Sequence, residues 1–214
     1  RHVAPRIPIK KRNATMQRTI HFVLLDDFAD WEAASLAPAL RGGVLPGRPG
    51  SHAVAYLTPG GRPVRSIGGL TVTPDGPLEA PLPAHCAGLV LVGGMGWQRP
   101  EAEAVEPLVR EARRRGLTVG AICNACSFLA ARGLLNDVRH TGNTVEQLRA
   151  WGSERYTGHE LFEERQAVAD GGFVTANGSA TLEFTRACLL AFGADTPEAI
   201  EASYRFNKEG FYKA

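Results

Sequence analysis

After Met16, short apolar runs alternate with segments whose apolar positions recur at the helical period. The apolar runs predict strands at 19–25, 53–57, 88–92 and 117–122. The amphipathic segments between them predict helices near 31–41, 101–115 and 124–134. Because strands that alternate with helices favour a parallel sheet covered on both faces, the pattern predicts an α/β fold, a three-layer sandwich around a mostly parallel central sheet.

Two further segments, 63–73 and 166–176, have the alternation and the glycine turns of antiparallel hairpins. We expect both hairpins to extend the edges of the central sheet. Helices at about 180–192 and 196–205 follow, and the Pro-rich stretch 43–51 predicts a surface loop. Because no repeat or linker interrupts residues 16–214, we expect them to form one domain.

The composition is typical of a globular protein, with 44% of the 214 residues hydrophobic and 21% charged. No apolar stretch approaches the ~20 residues of a transmembrane helix, so no membrane association is expected. The formal net charge of +2 is unevenly distributed. Residues 1–15 hold five of the 24 basic residues and no acid, which leaves 19 basic against 22 acidic groups, or −3, for residues 16–214.

The basic extension, residues 1–15, precedes Met16, which could be the true initiator. We interpret it as disordered, or as a product of cloning or of a misassigned start, rather than as a nucleic-acid-binding arm, because no aromatic residue is interleaved with its charges. Pro5 and Pro8 interrupt it, and no apolar segment of signal-peptide type follows. We therefore expect a cytoplasmic protein with reduced cysteines and no nucleic-acid partner.

Cys123 is the first candidate for chemistry, because open α/β sheets bind ligands where their strands end. It follows the strand 117–122 directly and opens the helix 124–134. A residue at such a sharp junction lies close to the backbone donors and the partial positive charge of the helix start. These features would lower the pKa of the thiol from its usual value of ~8.5 and make it a nucleophile. The alternative is a small buried residue at a tight turn.

The remaining cysteines offer weaker candidates. Cys126 forms a Cys-x-x-Cys pair with Cys123, which is compatible with a redox pair or with simple helix packing. A zinc site is not expected, because no second Cys-x-x-Cys or paired-His motif completes four ligands. Cys86 and Cys188 have no predicted role.

The loop after the first strand carries Asp26, Asp27, Asp30 and Glu32. Most of these acids can be explained as favourable partners of the helix dipole. Glu32 lies inside the predicted helix, where partial burial would raise the pKa of its carboxyl and allow it to exchange a proton with a thiol.

A glycine-rich turn, Gly93-Gly94-Met95-Gly96, ends the strand 88–92. Glycines at a strand end let backbone amides face a ligand, so the amides of Gly94, Met95 and Asn124 could form an oxyanion hole. A dinucleotide site is not expected, because the Gly-x-Gly-x-x-Gly spacing fails at Arg99.

The segment HTGNTVEQL, residues 140–148, adds two polar candidates. Asn143, with Glu146 three residues later, is best explained as the N-cap of a helix. His140 is either a proton carrier or an ordinary loop histidine.

These motifs together resemble the ThiJ/PfpI family, a branch of the class I glutamine amidotransferase-like fold that also contains the parkinsonism-associated deglycase. The resemblance spans residues 18–193. DDFADWE is similar to the family's helix with the site glutamate, VLVGGMGW to its oxyanion turn, VGAICNACSFLA to its cysteine turn, and VTANGSATLEFTRACL to its penultimate strand and final helix. Four motifs in one order are hard to obtain by chance.

The resemblance implies a flavodoxin-like sandwich with a role for each matching residue. Cys123 would be the nucleophile, Glu32 its proton partner and His140 a possible helper. The oxyanion donors would be Gly94, Met95 and Asn124, and the pocket would be formed by Trp31, Trp97, Asn143, Asn177 and Gly178. No metal or organic cofactor is implied, and the family suggests a homodimer that acts on a small molecule.

The chain also departs from the family pattern. Protease-like members have His directly after the nucleophile, where this chain has Asn124, and other members have His where this chain has Asn143. Without a Cys-His-acid triad, peptidase activity is not expected, although the resemblance is to a bacterial subgroup often described as proteases.

We therefore expect covalent thiol chemistry on a small electrophile. The reaction would be hydrolysis of an amide or thiohemiacetal, or glyoxalase-type hydration of a dicarbonyl. The competing hypothesis is a non-catalytic redox sensor in which Cys123 is oxidised to a sulfinate. A third is a scaffold with a vestigial pocket.

Overall fold

Strands and helices alternate along the chain in the order that the apolar pattern predicts. The structure is a computed structural model that describes residues 18–78 and 81–210. Its strands are β1 (Thr19–Val23), β2 (Ala53–Thr58), β3 (Val64–Arg65), β4 (Thr71–Val72), β5 (Gly76–Pro77), β6 (Cys86–Leu91), β7 (Thr118–Ile122), β8 (Ala167–Asp170) and β9 (Phe173–Ala176). The basic extension at 1–15 lies outside the described residues.

The α-helices are α1 (Asp30–Ala33), α2 (Leu36–Gly42), α3 (Val105–Arg114), α4 (Asn124–Ala131), α5 (Val145–Gly152), α6 (Thr181–Phe192) and α7 (Pro197–Glu209). Short 3-10 turns lie at Pro59–Gly61, Gly96–Gln98, Pro100–Ala104, Ser153–Arg155 and Gly158–Leu161. The helix predicted at 31–41 is divided between α1 and α2. Pro38 explains the division, because it has no amide to donate to the Ala34 carbonyl four residues earlier.

Within the described residues, seven strands form the central sheet in the order β5-β2-β1-β6-β7-β9-β8. Every neighbouring pair is parallel except β8 and β9, which form an antiparallel hairpin at one edge. The predicted mostly parallel α/β sandwich is confirmed, as is the extension of the sheet by residues 166–176.

The hairpin expected at 63–73 forms, but it does not extend the central sheet. Strands β3 and β4 pair with each other in a separate two-stranded sheet. Acids of the loop after β1 bind this hairpin: Asp26 Oδ1 accepts from the Arg65 amide at 2.7 Å, and Asp30 accepts from the Ser66 hydroxyl at 2.5 Å and the Gly68 amide at 2.8 Å. The hairpin is thereby held over the end of β1 rather than beside an edge strand.

Alternation along the strands divides the core into one layer on each face of the sheet. In β6, Leu89 and Leu91 pack on the face covered by α3 and α4, whereas Val90 packs on the face covered by α2 and α6. Since both faces are covered, the open part of the sheet is the edge where its strands end. The carboxyl ends of β1, β6, β7 and β9 lie side by side there, and this is where the candidate residues meet.

Candidate functional site

Cys123 connects β7 to α4 in a strained backbone conformation. Its φ of 61° and ψ of −129° lie where residues other than glycine are rare, and such a conformation costs about 1–3 kcal/mol. The Cys123 amide donates to the Ala176 carbonyl at 2.9 Å, which ties the junction to the end of β9. The side chain is half-buried. Strain of this kind is concentrated at functional sites, which supports Cys123 as the candidate nucleophile.

Two glycines leave space for the thiol. A Cβ at Gly93 would lie 2.6 Å from the Cys123 Cβ and 2.3 Å from Glu32 Oε2. A Cβ at Gly178 would lie 3.0 Å from Cys123 Sγ and 3.4 Å from Glu32 Oε1. A side chain is therefore excluded at Gly93 and would crowd the sulfur at Gly178, although the sequence predicted a special role only for Gly178.

Glu32 is completely buried in α1 beside the thiol. Neither of its carboxyl oxygens has a hydrogen-bond partner of good geometry among the described residues. Burial raises the pKa of Glu32 from 4.5 to about 7, and the Cys123 thiol and the Gly93 amide offset only part of this rise. The sequence-based expectation of a raised pKa is thus confirmed, and the carboxyl can both accept and release a proton near neutral pH.

The expectation that the helix start would acidify Cys123 is wrong. Burial and, next, the negative charge of Glu32 raise the pKa of the Cys123 thiol above its usual value. Hydrogen bonding from Asn143 and from the Asn124 amide works in the opposite direction but does not prevail. The resting site therefore holds a thiol beside a carboxyl that can take its proton, rather than a free-standing thiolate.

Asn143 contacts the sulfur and does not cap a helix. Its Nδ2 donates to Cys123 Sγ at 3.4 Å and its Oδ1 accepts from the Gly178 amide at 2.9 Å. The N-cap of α5 is the next residue, Thr144, whose Oγ1 accepts from the Gln147 amide at 3.1 Å. The predicted capping role of Asn143 is therefore wrong, because the N-cap lies one residue later. Asn143 instead brings a neutral amide into contact with the thiol.

The three expected oxyanion donors are not equivalent in the structure. The Met95 amide already donates to the Asp27 carbonyl at 2.9 Å, so in this conformation it is not available as a donor to substrate. The Asn124 amide is directed at Cys123 and helps to lower the pKa of the thiol. Gly94 has a φ of 135° and lies in the turn that this bond from Met95 stabilises. Gly94 and Asn124 thus remain as candidates.

The side chain of Asn124 joins three parts of the site. Its Nδ2 donates to the Gly94 carbonyl at 2.8 Å, and its Oδ1 accepts from Asn143 Nδ2 at 3.3 Å and from Gln147 Nε2 at 2.7 Å. The sequence interpretation missed Gln147. The Thr144-x-x-Gln147 spacing predicts the N-cap in the correct register, but no local pattern predicts that the Gln147 side chain reaches Asn124, 23 residues away.

His140 and Trp97 lie in the core and not at the thiol. His140 is fully buried, and its two ring nitrogens are occupied by the Val138 carbonyl (2.7 Å) and the Tyr156 hydroxyl (2.6 Å). Burial lowers the pKa of His140, which keeps the ring neutral. Trp97 is 2% exposed and donates to the Val92 carbonyl at 2.9 Å. Their expected roles as proton helper and pocket wall are therefore not supported by these contacts.

The other expected pocket residues lie at the rim. Trp31 is 49% exposed, and its indole donates to the Gly178 carbonyl at 3.3 Å. Asn177 accepts from the amide and hydroxyl of Ser179 at 3.0 and 2.7 Å, which orders the turn before α6. Asn177 and Asn143 also line a cavity of about 360 Å³ next to the site.

Cys126 is fully buried, and its thiol contacts the carbonyls of Ala121 and Ala176 at 3.3 and 3.4 Å. Burial raises its pKa far above the usual value, which makes it a poor attacking thiol. Helix packing, one of the two predicted explanations, therefore describes this contact pattern better than a redox pair. Cys86 and Cys188 are also buried.

Metal-binding clusters and membrane-spanning helices are both absent from the described ranges 18–78 and 81–210. No group of three or more His, Cys, Asp or Glu side chains is arranged to hold a metal ion. None of the helices there is long and apolar enough to cross a membrane.

The chain is similar in sequence to proteins of a known family. A model of the DJ-1/PfpI family matches residues 18–191. The chain is 38% identical over 191 residues to "Uncharacterized protease YdeA" of Bacillus subtilis (strain 168), a match that covers 89% of this chain and 91% of that protein.

Solved structures of similar proteins have the same fold. The DJ-1 superfamily protein Atu0886 from Agrobacterium tumefaciens is 39% identical with a TM-score of 0.79, over 89% of this chain and 98% of that one. A thiJ/pfpI family protein from Bacillus anthracis is 29% identical with a TM-score of 0.81, over 90% of this chain and 92% of that one.

Proposed function

The chain belongs to the DJ-1/PfpI family, as its motifs predicted, and from this premise we propose that it is a cysteine-dependent enzyme that converts a small α-dicarbonyl compound into a 2-hydroxy acid. The observation that carries the proposal is the Glu32 carboxyl, which is buried beside Cys123, has no good hydrogen-bond partner in the described residues and has a pKa of about 7. A group with this pKa serves equally well as base and as acid at neutral pH.

In the first step, Cys123 Sγ adds to the aldehyde carbon. The C–S bond forms, the carbonyl π bond breaks, and the thiol proton passes to the Glu32 carboxylate. The oxygen that gains negative charge is stabilised by the amides of Gly94 and Asn124 and is then protonated by Glu32. This gives a hemithioacetal and restores the carboxylate.

In the second step, the Glu32 carboxylate removes the proton from the former aldehyde carbon and returns it to the neighbouring carbonyl carbon. The hydroxyl proton of the hemithioacetal passes to the neighbouring carbonyl oxygen. The first carbon is oxidised to a thioester and the second is reduced to an alcohol, so no external oxidant or reductant is needed. Water then cleaves the C–S bond, which releases the 2-hydroxy acid and regenerates the thiol. The net reaction adds one water to the dicarbonyl.

Amide hydrolysis is a less suitable reaction for this site. A peptidase-like reaction uses a histidine to protonate the departing amine, but the groups that interact with the sulfur here are the side chains of Glu32 and Asn143 and the backbone amide of Asn124. The dicarbonyl reaction needs only one group that moves a proton in both directions, and Glu32 has the pKa for that role.

Proton NMR of the products tests the proposal with methylglyoxal and phenylglyoxal as substrates. We expect the wild type to form the 2-hydroxy acid, Cys123→Ser to form none, and Glu32→Gln to lose about 10²-fold or more in kcat, as is typical of a missing general base. Cys86→Ala and Glu160→Gln are matched controls, because Cys86 is a buried thiol elsewhere and Glu160 is an exposed carboxylate. Absence of product with the wild type, or undiminished product with Cys123→Ser, would refute the proposal.

A second candidate function rests on the same pair of residues. If a peroxide oxidises the Cys123 thiol in two steps, each step transfers one oxygen atom to sulfur and reduces one peroxide to water. We expect a protonated Glu32 and the Asn143 amide to donate to the sulfinate oxygens, because Asn143 donates to the sulfur and the Glu32 carboxyl oxygens have no other partner of good geometry in the described residues. Stoichiometric gain of two oxygen atoms by mass spectrometry, with a change in the unfolding midpoint and no dicarbonyl turnover, would favour this sensor over the enzyme.

A further inference from the structure

Gln147 lies on the first turn of α5, and its side chain is not needed to cap that helix. The cap uses the Gln147 backbone amide, which donates to Thr144 Oγ1 at 3.1 Å. In a complete capping box the side chain would turn back to the amide of the cap residue. Here Gln147 Nε2 instead donates to Asn124 Oδ1 at 2.7 Å, across 23 residues of sequence.

The Asn124 side chain links Gln147 to the glycine turn through a second hydrogen bond. Its Oδ1 accepts a short hydrogen bond from Gln147 and a longer one, 3.3 Å, from Asn143. Its Nδ2 is thereby directed at the Gly94 carbonyl, to which it donates at 2.8 Å. The other side of the same peptide is held by the Met95 amide, which donates to the Asp27 carbonyl at 2.9 Å. The peptide between Gly94 and Met95 is thus fixed from both sides.

Gly94 requires such support because its backbone is unusual. Its φ of 135° is accessible to glycine and rarely to other residues, and a Cβ there would lie 2.2 Å from the Asp27 carbonyl oxygen. The preceding peptide is fixed by the Ala29 amide, which donates to the Gly93 carbonyl at 3.0 Å. A glycine turn without these bonds would have several accessible orientations for its amide.

We propose that Gln147 is a positioning residue that holds Asn124, and through it the Gly94 turn, in the orientation that stabilises the oxyanion. This inference rests on the proposed function, because the oxyanion forms only when a thiol adds to a carbonyl. Gln147 acts through Asn124, whose side chain joins it to the Gly94 carbonyl, and it is not among the groups that shift the pKa of the Cys123 thiol. Preorganised donors stabilise a transition state because they need no reorientation as the charge develops.

The test compares Gln147→Met with the wild type. Methionine keeps the length and the helix propensity of glutamine but has no donor. Arg149→Met is the matched control, since Arg149 is exposed on the same helix. For each protein we would measure kcat and KM with phenylglyoxal, the rate of Cys123 alkylation by iodoacetamide, and the NMR exchange rate of the Asn124 side-chain amide protons.

We expect Gln147→Met to lower kcat about tenfold, which is less than the ~10²–10³ typical of losing an oxyanion donor outright. KM and the alkylation rate should stay unchanged, because displacement of iodide by sulfur forms no oxyanion. The Asn124 amide protons should exchange faster. A fall in alkylation parallel to kcat would overturn the inference, because it would indicate a general effect on the thiol or on the fold. Unchanged kcat and unchanged amide exchange would also overturn it.

If the wild type does not turn over any dicarbonyl, the proposed function fails. The Asn124 amide exchange then still tests whether Gln147 holds Asn124, so the two failures are distinguishable.

Discussion

The side-chain amide of Asn143 donates to the sulfur of Cys123 at 3.4 Å. The same side chain accepts from the Gly178 amide at 2.9 Å, which fixes its orientation. A neutral donor therefore lies beside the sulfur. It lowers the pKa of the thiol without bringing a second titratable group to the site.

Asn143→Ala should slow the alkylation of Cys123. Loss of the donor removes a hydrogen bond that favours the thiolate, so the pKa of Cys123 rises further. A hydrogen bond to a charged atom contributes about 1.5 kcal/mol, which corresponds to roughly tenfold slower labelling at a fixed pH below that pKa. Mass spectrometry of the iodoacetamide-labelled peptide measures the rate. Asn207→Ala, on the exposed side of α7, is the control, and equal rates for all three proteins would contradict the prediction.

Glu32 should make the protein less stable as the pH rises. The folded-state pKa of about 7 lies above the unfolded value of 4.5, so ionisation is more costly in the folded state. The stability is therefore complete below about pH 4.5 and falls as the pH rises through 7, by about 3 kcal/mol in total, since one pKa unit corresponds to ~1.4 kcal/mol.

Glu32→Gln cannot ionise and should lose this dependence. Urea unfolding at a series of pH values measures the effect: the variant should become the more stable protein above about pH 7, while Glu160→Gln should follow the wild type. If the wild type and Glu32→Gln have parallel stability curves, Glu32 does not ionise in this range and the proton-transfer role is wrong.

Gly178→Ala should damage the site much more than the fold. The added Cβ would lie 3.0 Å from Cys123 Sγ and 3.4 Å from Glu32 Oε1, so the sulfur has to move. Because small displacements of reacting groups reduce rates strongly, we expect turnover to fall about 10²-fold. Gly42→Ala, with no atom within 4 Å of the added Cβ, should keep full activity. Dicarbonyl turnover of both variants measures the effect on the site, and thermal unfolding measures the effect on the fold. Full activity of Gly178→Ala would show that the sulfur position is not critical.

His140→Phe should affect stability and not chemistry. It leaves the Val138 carbonyl and the Tyr156 hydroxyl without their buried partner, which costs about 1–3 kcal/mol for each group. The Cys123 alkylation rate should equal that of the wild type at a temperature where both proteins are folded. Denaturant unfolding measures the loss of stability, and alkylation measures the reactivity of Cys123. Slower alkylation in a fully folded variant would indicate that His140 contributes to the reactivity of the thiol.

Much of the site was predictable because strand ends and tight turns have local signals. Cys123 directly after an apolar run, Glu32 in the first helix and the glycines after β6 identified the meeting point of three segments. The errors concern side chains whose role depends on distant partners. Asn143 was assigned one residue out of register because Asn and Thr are both good N-caps, and His140 was not recognised as a core residue because its partner Tyr156 lies 16 residues away.

The acidified thiol was predicted from the helix start, where the Asn124 amide does act to lower the pKa of Cys123. The structure places a buried carboxyl beside the sulfur, and burial with this like charge outweighs the helix. No local pattern reports how deeply two groups are buried together.

The sequence by itself determined the layers of the fold, the order of its elements and the residues that end its strands, because the alternation of apolar and polar positions is a local property of the chain. Only the tertiary structure decided which atoms surround the sulfur. Glu32, Gly178 and the pair Asn143 and Gln147 come from three separate segments, and their distances, burial and shared hydrogen bonds exist only once the carboxyl ends of the strands are brought to one edge.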